Sequence, residues 1–167
     1  MQQRALPLLL LTLALSAQAQ TRLTVRFANP SWNGVNIPAG QQCPKYGGAG
    51  ATPSLNVFDL PPGTAALMLE FSEKGTALDN GGLGRIGYAV GKGVSSAQVP
   101  SAPGNSMVLP SGFFLIRTHL GDDKPGAYLP PCSGGKGARY FLVVRALDAA
   151  NKEGKVLGEG RLELGKY

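Results

Sequence analysis

The chain has 167 residues, with 16 Lys and Arg against 10 Asp and Glu, a formal net charge of +6, and 24 Gly, 13 Pro, two Cys and one His. That length supports one substantial core, and the Gly and Pro content leaves little room for long helices. No metal site is expected, because one histidine with two distant cysteines lacks ligand spacing. The basic excess is spread as scattered pairs along the sequence, which argues against a nucleic-acid footprint, because such a footprint needs clustering.

In chain order, Arg4, the apolar run Leu6–Leu15 and the small-x-small triplet Ala17-Gln18-Ala19 read as a secretory signal peptide over residues 1–19. The alternative, a membrane anchor, needs about 20 apolar residues, more than this run provides. No cysteine follows the run to carry a lipid, so no stable membrane anchor is expected and the location is secreted or periplasmic. The domain then covers residues 20–167, and loss of Arg4 with the leader lowers the side-chain balance to +5.

Within that domain, Leu23–Phe27 alternates apolar and polar residues, the signature of a half-buried strand, and Asn29-Pro30 ends it. Leu55–Phe58 is a second strand, closed by the turn Leu60-Pro61-Pro62-Gly63-Thr64. Ala65–Phe71 is apolar except for Glu70 and predicts a central strand. Arg85–Val90, Phe113–Thr118 and Tyr140–Leu147 predict further strands, and a final hairpin is expected around Lys155–Leu164. Gly91–Gly112, rich in Ser, Pro and Gly, reads as the longest loop. Many short strands divided by Gly/Pro turns indicate an all-β sandwich of one domain.

Cys43 and Cys132 form an even set in an exported chain, which suggests one disulfide; two separate buried thiols are the alternative. A bond would close most of the domain into one loop, worth roughly 4 kcal/mol by chain entropy. Gly82-Leu83-Gly84-Arg85-Ile86-Gly87 fits G-x-G-x-x-G but leads into a strand, with no acid before Asp122, so it is not a dinucleotide fingerprint. His119 is the one residue on which a hydrolase would have to turn. Its place beside Gly121-Asp122-Asp123 reads more simply as a polar strand end, and Asp122-Asp123 alone is no calcium loop.

The segment Lys124–Leu147, in which a Pro/Gly-rich loop passes through Gly137-Ala138-Arg139-Tyr140 into an apolar strand, resembles the ligand loop and following strand of the phosphatidylethanolamine-binding protein (PEBP) family in its bacterial Raf-kinase-inhibitor-like branch. Asn36-Ile37-Pro38 with Cys43 and Thr52-Pro53-Ser54-Leu55, then Leu60–Leu67, then Gly158–Tyr167, are similar to that family's other segments in the same order. The resemblance implies a PEBP-like β-sandwich with long Gly/Pro-rich loops and little helix. It also implies a non-enzymatic binding protein for a small anion or phospholipid head group, with no cofactor. By the same resemblance the ligand-binding set is Glu73, Tyr88, Tyr128, Ala138, Arg139 and Tyr140. Ala138 stands where the family has a pocket histidine, and Gly87-Tyr88 is matched to its His-Trp pair. On the residues alone, Arg139 suits an anion as a fork, but a structural salt bridge with Glu73 is the slightly favoured reading. The competing reading is a surface interaction or inhibitor protein whose pocket is filled, with Trp32 and Phe58 as packing residues.

Overall fold

Residues 21–167 are described in this computed structural model; the predicted leader, residues 1–19, lies outside them. The described residues form nine strands in two sheets. β1 (Thr21–Arg22), β4 (Ala66–Glu73), β5 (Arg85–Ala89), β7 (Phe113–Arg117), β8 (Arg139–Leu147) and β9 (Val156–Lys166) build the larger one, in the order β1-β9-β8-β4-β5-β7. β2 (Thr24–Phe27), β3 (Leu55–Phe58) and β6 (Ser96–Val99) build the smaller one, in the order β2-β3-β6. Every pairing is antiparallel except β1 with β9. A single 3-10 turn, Pro44–Tyr46, is the only helical element among the described residues. No helix there is long and apolar enough to cross a membrane.

The two most apolar runs take the centre of the larger sheet. β4 and β8 pair from Ala66 opposite Leu147 to Glu73 opposite Tyr140, and nearly all their residues are buried. Leu67, Leu69 and Phe71 of β4 join Leu142 and Val144 of β8, Leu55 and Val57 of β3 and Val99 of β6 in one hydrophobic cluster. Side chains alternate along a strand, so Glu70 and Ser72 project from the opposite face of β4. Both are buried nevertheless. Glu70 lies 2.5 Å from Arg85 and 3.1 Å from Arg145, and Arg145 also holds Glu159 at 2.7 Å. The loop after β4 covers Ser72, whose hydroxyl accepts from the Gly81 N–H at 2.8 Å, while Arg117 donates to the Gly81 carbonyl at 2.6 Å.

The predicted strands stand, apart from shifts of a residue or two at their ends and the added two-residue β1, with three differences. β6 lies inside the segment read as the long loop, where Ser96–Val99 completes the smaller sheet against β3. β4 runs on through Ser72 and Glu73. The predicted C-terminal hairpin is one uninterrupted strand of 11 residues that pairs with β8. Its glycines are sites of close approach instead of turns: a Cβ on Gly160 would meet the Leu23 carbonyl oxygen at 2.6 Å and a Val25 methyl at 2.9 Å.

Cys43 and Cys132 are joined in a disulfide with Cα atoms 5.2 Å apart, settling the alternative left open by their number. The bond ties the 3-10 turn to the loop before β8, and the Cys43 N–H donates to the Pro131 carbonyl at 3.0 Å beside it.

Candidate functional site

The end of the larger sheet where β4 finishes and β8 begins holds most of the predicted site residues, on two faces. On the inner face, Glu73 is opposite Tyr140. Tyr140 and Tyr128 are fully buried, and the Tyr128 ring packs against Phe71 at 4.5 Å between centroids. Neither phenol has a protein hydrogen-bond partner. The Ser133 hydroxyl and Glu73 carboxylate lie near the Tyr140 hydroxyl without reaching hydrogen-bond geometry. Burial, reinforced by the Glu73 charge, pushes Tyr140 up to about 12, and burial with Tyr140 alongside raises Tyr128 further. Ala138, two residues before Tyr140 and so on the same face, is half-buried against the core. This end of the core is therefore occupied by two aromatic rings.

Arg139 faces the other way, as strand alternation requires. The Lys74 N–H donates to the Arg139 carbonyl at 2.9 Å, and Arg139 is opposite Lys166 on β9. Lys74, Arg139 and Lys166 thus form a row across the ends of three strands, all exposed. Adjacent strands are about 4.8 Å apart. No carboxylate of the described residues makes an ion pair with any of the three, so the predicted Arg139–Glu73 pairing is not formed. Together with Gly34, Val35, Glu163 and Gly165 they line a cleft of about 490 Å³. Glu163, the one acid there, is already engaged by Arg161 at 2.8 Å. The cleft's far wall, residues 34–36, closes on β9 because Gly165 has a φ of 124° and no side chain; a Cβ there would lie 2.7–2.9 Å from the Asn36 backbone.

Tyr88 is not part of this end. It is opposite Leu67 on β4, six residues from Glu73 and so about 20 Å along the strand, with its ring 4.9 Å from Phe113. Gly87 is covered by the Phe114 ring. The residue next to the Tyr128 loop is Gly84, immediately before β5, where a Cβ would meet the Ala127 carbonyl oxygen at 2.1 Å. His119, also buried, uses its Nε2 on the Lys124 carbonyl at 2.9 Å. Lys74 and Lys166 escape a linear reading, because only the sheet register brings them to Arg139.

No family model matches the sequence, and no curated protein matches it. Solved structures do. Escherichia coli YbcL, described as a new member of the mammalian PEBP family, superposes with a TM-score of 0.52 at 16% identity, over 89% of this chain and 98% of that one. The chain has the PEBP fold. A Chlamydia trachomatis protein, CT736, described as a PEBP homolog, is also similar, with a TM-score of 0.49 at 19% identity over 88% of this chain and 97% of that one. The all-β PEBP-like architecture expected from the sequence is the one found. Relative to that expectation, two tyrosines fill the inner end of this PEBP-fold chain, and the basic row opens on the opposite face.

Proposed function

We propose that the protein is a non-enzymatic PEBP-like binding protein for an anionic group, either a small anion or a phospholipid head group, and that the group docks on the Lys74–Arg139–Lys166 row. The observation that carries this reading is three like charges set side by side across three strands, none of them in an ion pair with a carboxylate of the described residues. Like charges directly opposite each other destabilise a sheet, and an anion bridging them removes that repulsion. Arginine adds a planar fork matched to phosphate or carboxylate. The exported location belongs to the same proposal and draws support from the Cys43–Cys132 disulfide, which persists in oxidising compartments.

The test is a titration of the protein with phosphoethanolamine and with vesicles containing anionic phospholipid. A charge-assisted hydrogen bond contributes about 1.5–3 kcal/mol, so Arg139→Ala should weaken binding at least about tenfold. Binding by the wild type should fall as salt rises. Equal affinity of wild type and Arg139→Ala would remove Arg139 from the site and sink the reading. A second reading, a surface interaction or inhibitor protein, is favoured by the burial of Tyr128 and Tyr140 at the inner end. It predicts no response to either ligand.

A further inference from the structure

A second cleft, of about 360 Å³, lies beside the disulfide and is bounded by Lys45, Leu78, Leu120, Asp123, Leu129 and Cys132. The Asp123 carboxylate and the two sulfurs of Cys43 and Cys132 all lie within 4.8 Å of one another. Cys43 is fully buried, while Cys132 is partly exposed to this cleft. The carboxylate is held in place: Asn105 donates to one oxygen at 3.0 Å and the Lys124 N–H to the other at 2.7 Å. Asn105 is itself fixed by its own N–H on the Tyr128 carbonyl at 2.8 Å. A disulfide is neutral and has no donor, so the carboxylate is held by Asn105 and Lys124 and not by the sulfurs it faces. Two thiolates and a carboxylate, by contrast, are a ligand set for a thiophilic divalent cation of the zinc class.

We propose that Cys43, Cys132 and Asp123 form a redox-gated site for such a cation, closed while the disulfide is intact and opened by a dithiol reductant. In the opening step the sulfur–sulfur bond takes up two electrons and two protons from the reductant, which becomes a disulfide. The two protein thiols then release their protons as the cation binds, giving two metal–sulfur bonds and one metal–oxygen bond. A fourth position faces the cleft. Tetrahedral zinc with bonds of about 2.3 Å sets its sulfurs about 3.8 Å apart, so the sulfurs must separate once the bond is reduced, and Cys132 is the one that borders open space. Asn105 plays the orienting part usual for a ligand carboxylate, and Lys45, on the same cleft, offsets the net negative charge of the filled site. Cleft, ligands and gate are all separate from the Lys74–Arg139–Lys166 row.

The test uses the whole protein, oxidised and reduced, with the reductant removed under anaerobic conditions, titrated with Zn²⁺ alone and with Co²⁺ alone. The reduced protein should take up one equivalent of either ion, with thiolate-to-cobalt charge-transfer absorption, and the oxidised protein should bind at least about a hundredfold more weakly. Asp123→Asn should weaken binding by the reduced protein about tenfold or more, and Cys132→Ser should abolish the cobalt–thiolate signal. If reduction merely unfolds the chain, its free thiols will bind without regard to residue 123. Equal affinities of reduced wild type and Asp123→Asn therefore overturn the proposal, as does failure of the reduced protein to bind.

Discussion

Replacing Glu70 by Gln removes the one negative charge between two arginines while keeping the shape of the side chain. Glu70 has only 6% of its side chain exposed and contacts Arg85 at 2.5 Å and Arg145 at 3.1 Å. Removing one member of a buried pair costs about 3–5 kcal/mol, because it leaves an uncompensated charge. Here the arginines are 30% and 23% exposed, so water screens part of that penalty. Arg145 retains Glu159, and Arg85 retains the Asn80 carbonyl at 2.9 Å. The expected loss is therefore about 2–3 kcal/mol. Urea unfolding at neutral pH measures it: with a slope of about 1.5–2 kcal/mol/M the midpoint should fall by about 1–2 M. The loss should persist in about 1 M salt, since a buried pair is little screened. A midpoint shift below about 0.3 M, or one that disappears in high salt, would show that Glu70 behaves as a surface charge and refute the argument.

Gly84→Ala should cost at least about 2 kcal/mol and expose the Tyr128 loop to proteolysis, because the new Cβ meets backbone at 2.1 Å and the residue has a φ of 115°; wild-type stability in urea unfolding would contradict this. Tyr140 ionises in the folded protein only near 12, against about 10 in the unfolded chain, so its contribution is intact below pH 10 and is lost as the pH rises toward 12. At pH 11 the wild type should have lost about 1 kcal/mol more stability than Tyr140→Phe, relative to pH 8; parallel pH profiles of the two proteins would exclude Tyr140 as the cause. Lys166→Glu should lower affinity for anionic vesicles while leaving unfolding stability unchanged or slightly raised, since it relieves repulsion at Arg139; a stability loss with unchanged vesicle binding would assign Lys166 a structural part only.

The strands that were legible in the sequence are those whose apolar content alone decides burial. Leu55–Phe58 has the same bounds in sequence and structure, and the runs at Ala65–Phe71 and Tyr140–Leu147 did become the sheet centre. Ser96–Val99 was not legible, because its one fully buried residue, Val99, gives no pattern among Ser, Gly and Pro. β9 was misread because Gly158 and Gly160 signal a turn in one dimension, whereas in three they make room for the chain near Leu23. The site divided similarly. Alternation alone separates Arg139 from Tyr140, but the neighbours of Arg139 come from β9 and the end of β4, and the register that aligns them depends on bulges at Tyr140/Phe141 and Ala146/Leu147. Tyr88 was placed by counting along a resemblance, and a shift of a few residues carried it to the far end of β5.

The pairing of β1 and β2 with partners so unequally distant in sequence orders the birth of the fold. The smaller sheet needs nothing beyond Val99, so its three strands are all available once that residue has been made. The larger sheet waits for β8, since β4 has only β5 beside it until Arg139–Leu147 arrives. Thr21 and Arg22, the first residues of the described chain, find their partners only when Gly158 and Glu159 emerge. Until β8 arrives one edge of β4 stays unpaired, and non-local pairing of this kind is slow. A chain built this way has a long interval, between Glu73 and Leu147, in which it depends on being kept apart from its own copies.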